Sequence, residues 1–432
     1  MSDRKTRDRR PSDYARRDFM RTGAWLGLGA GASFLPAVGK AGEGAEDTAS
    51  QQDPKPVRSV GLGRTGVQVS DIGFGTFSLR DTKAYRETVR YALDRGVTQF
   101  DTAEGYGEGQ SEIALGRALQ GERQRATITT KLWAEADSRQ DQLMARLNES
   151  LRRLRTDHVD FLLNHAVDSP DRMTNPEWSA FVEKAKAQGK IRFSGMSGHG
   201  PDLVPCLEAA LKDNQLDVIL VAYNYIQSPD FLDTARVWIQ KKLGQVDWIA
   251  LQPGLTDFLA RAQQAGVGVM VMKTLRGAGH NDLRAFERSG GTFGQAALRW
   301  VLSDPRVDSA MITMRSKAQV DEYLEASGGS SPTGEDLAML SRYEFVNRSR
   351  QCVQGCGACA TSCPEGVPIS EVLRAGMYER DYSEPEMARA LYQSLNPDAS
   401  PCLSCSGAPC ANACPTGVPI QSESIAVHER LS

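Results

Sequence analysis

FDTAEGYG, residues Phe100–Gly107, ends an apolar β-prone run (Thr98–Ala103) with a carboxylate and opens a glycine-rich turn that carries a tyrosine. Runs of the same kind lie on both sides of it. Asp71–Thr76 precedes it, and Ala126–Leu132, Val159–His165, Ile191–Ser197, Asp217–Tyr223, Val267–Thr274 and Ser309–Met314 follow. Between these runs fall stretches of helical periodicity: Lys83–Arg95, Gln140–Leu154, Glu177–Gln188, Pro201–Lys212, Phe258–Ala265, Phe293–Leu302 and Ala318–Ala326. Gly96, Gly189 and Gly266 stand where helix C-caps belong. Strand and helix alternating in this way predict an α/β fold, a (β/α)8 TIM barrel over residues 58–330. A doubly wound open sheet is the rival, but no G-x-G-x-x-G follows the first strand.

Barrels of this type place their chemistry at the C-terminal strand ends. Strand two ends at Asp101 and leads to Tyr106, strand three ends with Lys131, and strand four ends with His165. Each has a plainer use alone: Asp101 as a helix cap, Lys131 as a snorkelling side chain, His165 as a satisfied core imidazole. Placed together at one mouth, they point to acid–base work. An unperturbed phenol, with a pKa near 10, is a weak donor at neutral pH. A lysine held by an aspartate is expected to lower that value, and a histidine to orient the acceptor oxygen.

FDTAEGYGEGQSEIALGRAL (Phe100–Leu119), with ITTKLW and LLNHAVD, resembles the aldo-keto reductase superfamily. The resemblance implies the catalytic tetrad Tyr106, Asp101, Lys131 and His165, and NADP(H) or NAD(H) as hydride carrier, with a carbonyl/alcohol pair as substrate. It also implies cofactor contacts from Ser197, His199 and Asn224, a pyrophosphate loop at Leu275, Arg276, Gly277 and Gly279, and Arg315 and Gln319 near the adenosine phosphate. Several positions depart from the family's pattern: Ser197-Gly198-His199 replaces Ser-Asn, Ala222 stands for the strand-six Gln, and Met272 for the stacking aromatic. Ile312-Thr313 and Tyr323 depart as well, while His199 is typical of the family's iron–sulfur branch. Asp230–Gly244 reads as an inserted amphipathic helix, either a substrate lid or surface packing.

Eight of the nine cysteines lie between Cys352 and Cys414, too clustered for a disulfide framework. They form two runs, Cys352/Cys356/Cys359/Cys363-Pro and Cys402/Cys405/Cys410/Cys414-Pro, each continuing to Gly-Val-Pro-Ile at an offset of about 51 residues. Bacterial ferredoxins use such spacing, the fourth thiolate of each run ligating the other cluster. Residues 351–432 are therefore expected to form a small α-helical ferredoxin-type 4Fe-4S domain with two [4Fe–4S] clusters, after a connecting helix at 331–350. A single cluster and a pair of structural zincs are the alternatives. Residues 1–41, with Arg16-Arg17-Asp18-Phe19 before the weakly apolar Gly23–Val38, resemble a twin-arginine signal peptide, and residues 42–57 read as a linker.

Charge and composition restrict the function classes. With 40% hydrophobic and 24% charged residues and a net charge of −3, the chain is an ordinary globular mixture, with no basic face for nucleic acid. No integral membrane span is expected in the mature form. The combined expectation is a periplasmic enzyme, exported folded by the twin-arginine machinery and served by a redox partner protein. The competing expectation is a repurposed barrel that transfers electrons or binds a partner without nicotinamide chemistry.

Overall fold

The computed structural model describes residues 56–77, 80–200, 202–227, 254–275, 278, 283, 285–287, 291–347, 352, 357–380, 385–414 and 417–432. The signal peptide, nearly all of the linker, the Asp230–Gly244 insertion, Arg276, Gly277, Gly279 and Cys356 lie outside these residues.

Eight parallel strands close into a barrel. They are β3 (Ile72–Gly75), β4 (Gln99–Asp101), β5 (Thr127–Leu132), β6 (Val159–Asn164), β7 (Ile191–Gly198), β8 (Val218–Ala222), β9 (Gly268–Met272) and β10 (Ser309–Thr313). They pair in sequence order, and β10 returns to β3 through Ala310↔Ile72 and Met311↔Gly73. All eight fall on the anticipated runs. Alternation along each strand sorts the side chains. Phe161, Leu163, Val218, Leu220, Met270 and Met311 fill the barrel, while Leu162, Ile219, Val269 and Val271 face the outer helices.

A hairpin of β1 (Ser59–Gly61) and β2 (Gln68–Ser70) plugs the N-terminal end, burying Leu62, Val67 and Val69 against that inner cluster. Gly268 permits this approach, because a Cβ there would stand 2.7 Å from Leu62 Cγ.

The ring of helices comprises α1 (Lys83–Asp94), α2 (Gln110–Ala118), α3 (Gln140–Leu154), α4 (Pro170–Thr174), α5 (Pro176–Ala187), α6 (Leu203–Lys212), α7 (Leu255–Gln264), α8 (Phe293–Leu302) and α9 (Lys317–Leu324). Helix α2 has no counterpart among the helices expected from periodicity. It is short, its Glu112 is buried, and Gly116 interrupts it. That glycine serves packing, since a Cβ would meet the backbone of Leu154 at 2.6 Å. Arg153 of α3 donates to Glu112 at 2.6 Å, and Thr130 of β5 does so at 2.6 Å, so the buried carboxylate ties two helices to the barrel.

Beyond the barrel, α10 (Gly334–Asn347) supplies the expected helix between 331 and 350. The Arg299–Asp336 fork, at 3.0 and 2.7 Å, fixes it to α8. The C-terminal module holds α11 (Ile369–Arg380), α12 (Pro385–Gln393), α13 (Pro409–Ala413) and α14 (Ile420–Leu431). Its core gathers Ile369, Val372, Ala388, Tyr392, Val418, Ile420 and Val427 with the thiols of Cys402 and Cys410. The sequence repeat is realised in the backbone. Gly366 N–H donates to Cys363 and Gly417 N–H to Cys414; Ile369 donates to Val367 and Ile420 to Val418. Gly366 and Gly417 share a left-handed φ of 64° and 70°, and each half then starts a 12-residue helix at its isoleucine.

Candidate active site

The C-terminal strand ends converge as expected. Lys131 Nζ, fully enclosed at the end of β5, donates to Asp101 Oδ2 at 2.7 Å, to the Thr102 carbonyl at 2.7 Å and to Tyr106 Oη at 3.2 Å. The His165 ring stands edge-on to the Tyr106 ring at 5.6 Å between centroids, and Phe77 closes on the other side of the phenol at 5.1 Å. These four side chains line one cavity of about 520 Å³. That volume lies within the range common for small-ligand sites.

Burial dominates the electrostatics. It pushes Asp101 up and Lys131 down, and their mutual attraction works back against both shifts. The Tyr106 phenol is held well above its usual value, first by burial and then by the Asp101 charge. This corrects the expectation that Lys131 depresses it: an aspartate at 2.7 Å cancels the lysine's field, so the phenol keeps its proton. His165 lies well below its usual value through burial, with Lys131, Arg172 and Lys273 adding to the effect, so the imidazole is neutral.

Arg172 was not anticipated. Nearly enclosed, it donates to the carbonyls of Ala134 at 2.8 Å, Ala166 at 3.0 Å and His165 at 2.9 Å, and to Asp168 at 2.9 Å. Its guanidinium lies 4.5 Å from the centroid of the Trp133 ring. It thus fixes the loop that carries His165. Arg172→Met is expected to lower kcat/KM by up to about 10²-fold through misplacement of that imidazole. The loss should appear mainly in kcat; an effect confined to thermal stability would contradict this role.

Of the expected cofactor residues, Ser197, His199, Leu275, Arg315 and Gln319 line the same cavity. Ser197 Oγ accepts from Ala166 N–H at 3.0 Å, so its hydroxyl is already committed to the backbone. His199 Nδ1 is buried and meets no hydrogen-bond partner among the described residues. Gln319 Oε1 accepts from Arg315 N–H at 2.8 Å at the start of α9, which Ser316 caps. Asn224 is not among the described residues that line the cavity. Its side-chain oxygen closes a turn on Ile226 N–H at 3.3 Å instead.

The opposite wall was also unanticipated. Glu371, Arg374 and Tyr378 of α11, and Met387, Ala390 and Leu391 of α12, complete the cavity. Tyr378 packs on Phe77 at 5.8 Å between centroids. The C-terminal module therefore roofs the barrel mouth.

A model of the aldo/keto reductase family matches residues 71–330. The chain belongs to the aldo/keto reductase family. It is an oxidoreductase that acts on carbonyl substrates. L-galactose dehydrogenase of Arabidopsis thaliana is 29% identical over 303 residues, spanning 66% of this chain and 92% of that protein. L-glyceraldehyde 3-phosphate reductase of Escherichia coli is 25% identical over 319 residues, with 65% and 90% covered. Among solved structures, an aldo/keto reductase from Klebsiella pneumoniae in complex with NADP and acetate is 27% identical with a TM-score of 0.50, covering 66% of this chain and 94% of that one.

In the cysteine module, no group of three or more His, Cys, Asp or Glu side chains among the described residues is disposed to hold a metal ion. The thiols nonetheless act on one another. Burial raises Cys402, and the neighbouring Cys363, Cys410 and Cys405 raise it further; Cys410 is raised by burial and then by Cys363, with Cys405 contributing. The charge of Cys363, in the first run, thus reaches Cys402 and Cys410 of the second. Val418 N–H donates to Cys414 Sγ at 3.3 Å, and Gln421 braces the carbonyls of Cys402 and Cys405 at 3.1 and 2.6 Å.

Proposed function

We propose that this enzyme reduces a small carbonyl compound with NADPH, Tyr106 giving the proton. The arrangement that carries this reading is the Tyr106 hydroxyl, held by Lys131 at 3.2 Å and facing His165 in a roofed cavity. Residues of this chain suit the dinucleotide: His199 offers a buried Nδ1 that meets no hydrogen-bond partner among the described residues, and Arg315 and Gln319 stand at the capped N-terminus of α9, where phosphate is favoured. NADP bound to the Klebsiella pneumoniae relative supports that choice of cofactor. When bound, NADPH supplies the hydride. Neutral His165 donates a hydrogen bond that fixes the carbonyl oxygen, and Tyr106 hands its proton to that oxygen as negative charge develops. Lys131 and Asp101 hold the phenol in line. The α11–α12 roof keeps bulk water from the reacting atoms.

The test is direct. Purified protein is denatured and searched for released NADP(H) or NAD(H), and the remainder is titrated with each. A bound or binding dinucleotide and aldehyde-dependent NADPH oxidation are expected. Absence of all three would move the barrel to the electron-transfer reading, which the committed Ser197 hydroxyl and the Asn224 side chain engaged by Ile226 N–H favour.

The proposal extends to both ends of the chain. Residues 351–432 are read as a helical ferredoxin-type domain with crossed [4Fe–4S] clusters, groups that carry single electrons. Cys352, Cys356, Cys359 and Cys414 would hold one, and Cys402, Cys405, Cys410 and Cys363 the other. The proximity of Cys363 to Cys402 and Cys410, and the repeated backbone of the two halves, support this set. Residues 1–41 are read as a twin-arginine signal, which exports cargo already folded around such groups. Arg16→Lys/Arg17→Lys should empty the periplasmic pool on fractionation, and an unchanged pool would refute export by this route.

A further inference from the structure

We propose that Lys273, with Arg374 beside it, forms an anion subsite in the roofed cavity, so that the substrate is a small carbonyl compound bearing a carboxylate or phosphate group. The proposal rests on the carbonyl-reductase reading given above.

Lys273 follows β9 directly and holds a left-handed φ of 59°. A long side chain rarely adopts that conformation, and it persists where the surroundings enforce it. Its ammonium nitrogen is out of contact with solvent and meets no hydrogen-bond acceptor among the described residues. Its recorded neighbour is the face of Tyr378, 6.0 Å from the ring centroid. Three cations at or beside this cavity are in ion pairs: Lys131 with Asp101, Arg172 with Asp168 and Arg374 with Glu371. Lys273 has no ion pair among the described residues; burial and then Arg374 hold its amine well below its usual value, and the more distant Glu371 works back against them. An enclosed ammonium without a counter-charge is strongly disfavoured. An anionic group entering the cavity would supply the missing acceptor and counter-charge together.

The position favours the substrate as the source of that anion. The field of Lys273 reaches both His165 and His199, and that of Arg374 reaches Lys273 and His199. Tyr378, under the ammonium, packs on Phe77, and Phe77 packs on Tyr106. Two rings, Tyr378 and Phe77, therefore link the Lys273 amine to the Tyr106 phenol. A short molecule with its carbonyl at Tyr106 would hold its charged end near Lys273. The cofactor's diphosphate carries the same charge and is the competing source.

The experiment uses the full-length holoprotein and matched pairs: succinic semialdehyde against butanal, and glyceraldehyde 3-phosphate against glyceraldehyde. Wild type should favour the charged member of at least one pair by about tenfold or more in kcat/KM, the size of a charge-assisted contact. Lys273→Met should shrink that preference to within about threefold, and Lys273→Arg should restore part of it. Equal or better use of the neutral members by wild type would overturn the proposal, as would an unchanged preference in Lys273→Met. A variant that keeps the preference but weakens NADPH binding, followed by fluorescence, would assign Lys273 to the cofactor's diphosphate and likewise overturn it. Calorimetry with succinate and inorganic phosphate, which carry charge but no reducible carbonyl, separates this proposal from the reductase reading. Binding to wild type with NADP+ present, lost in Lys273→Met, upholds the subsite even if no carbonyl is turned over, and no binding in wild type refutes it. Should Lys273→Met not fold, Arg374→Gln and the wild-type preference decide the same question.

Discussion

Tyr106→Phe is expected to lower kcat for carbonyl reduction by about 10²–10⁴-fold while leaving the fold intact, because only the proton donor is removed. The phenol is enclosed between Phe77, His165 and the Lys131 ammonium, so the ring of phenylalanine occupies the same space. Stopped-flow measurement of the chemical step checks this, and turnover within about threefold of wild type would end the assignment. Lys131→Met should cost a similar factor, by removing the ammonium that holds the Tyr106 hydroxyl in place at 3.2 Å. The double variant should be little worse than either single one, since the lysine acts through the tyrosine. The pH profile follows from the directions described. Tyr106 lies above its ordinary value and so keeps its proton as the pH rises; His165 lies below its own and stays neutral. Reduction should therefore stay flat from neutral pH into the alkaline range, falling only where the phenol ionises, above its ordinary range. A fall centred near neutrality would assign the proton to another group.

Cys363→Ser carries the second large effect. Wild type prepared without oxygen should hold about eight irons, and the variant about four, if each half-module contributes three thiolates to one cluster and one to the other. The double variant Cys363→Ser/Cys402→Ser separates crossed from uncrossed ligation. In the crossed arrangement both residues serve the same cluster, so about four irons remain; in the uncrossed one each serves its own, and iron falls towards zero. Circular dichroism confirms that the helices persist. Two zincs and no iron in wild type would leave the module a structural metal domain.

The barrel was legible because its strands are apolar runs that end on polar residues, and the tetrad was legible because Asp101, Lys131 and His165 occupy equivalent ends. Lys273 carries the same signal, a lysine at the end of Val267–Thr274. Helix α2 stayed hidden because its glycine answers to the Leu154 backbone, and its buried carboxylate to Arg153 and Thr130, neither visible as periodicity. The roof could not be read at all. Glu371, Arg374 and Tyr378 look like the ordinary face of an amphipathic helix, and their meeting with Lys273 and Phe77 is a matter of long-range packing. Asn224 shows how a polar side chain at a strand end can also serve its own turn.

The roof also sets a schedule. The wall formed by Arg374, Tyr378 and Leu391 follows Asp101, Tyr106, Lys131 and His165 in the sequence and so leaves the ribosome after them. A nascent barrel would have an open, water-filled mouth and no enclosed chamber. A barrel without that roof would leave the reacting groups open to bulk water, where the burial that holds the phenol above and the imidazole below its ordinary value is lost.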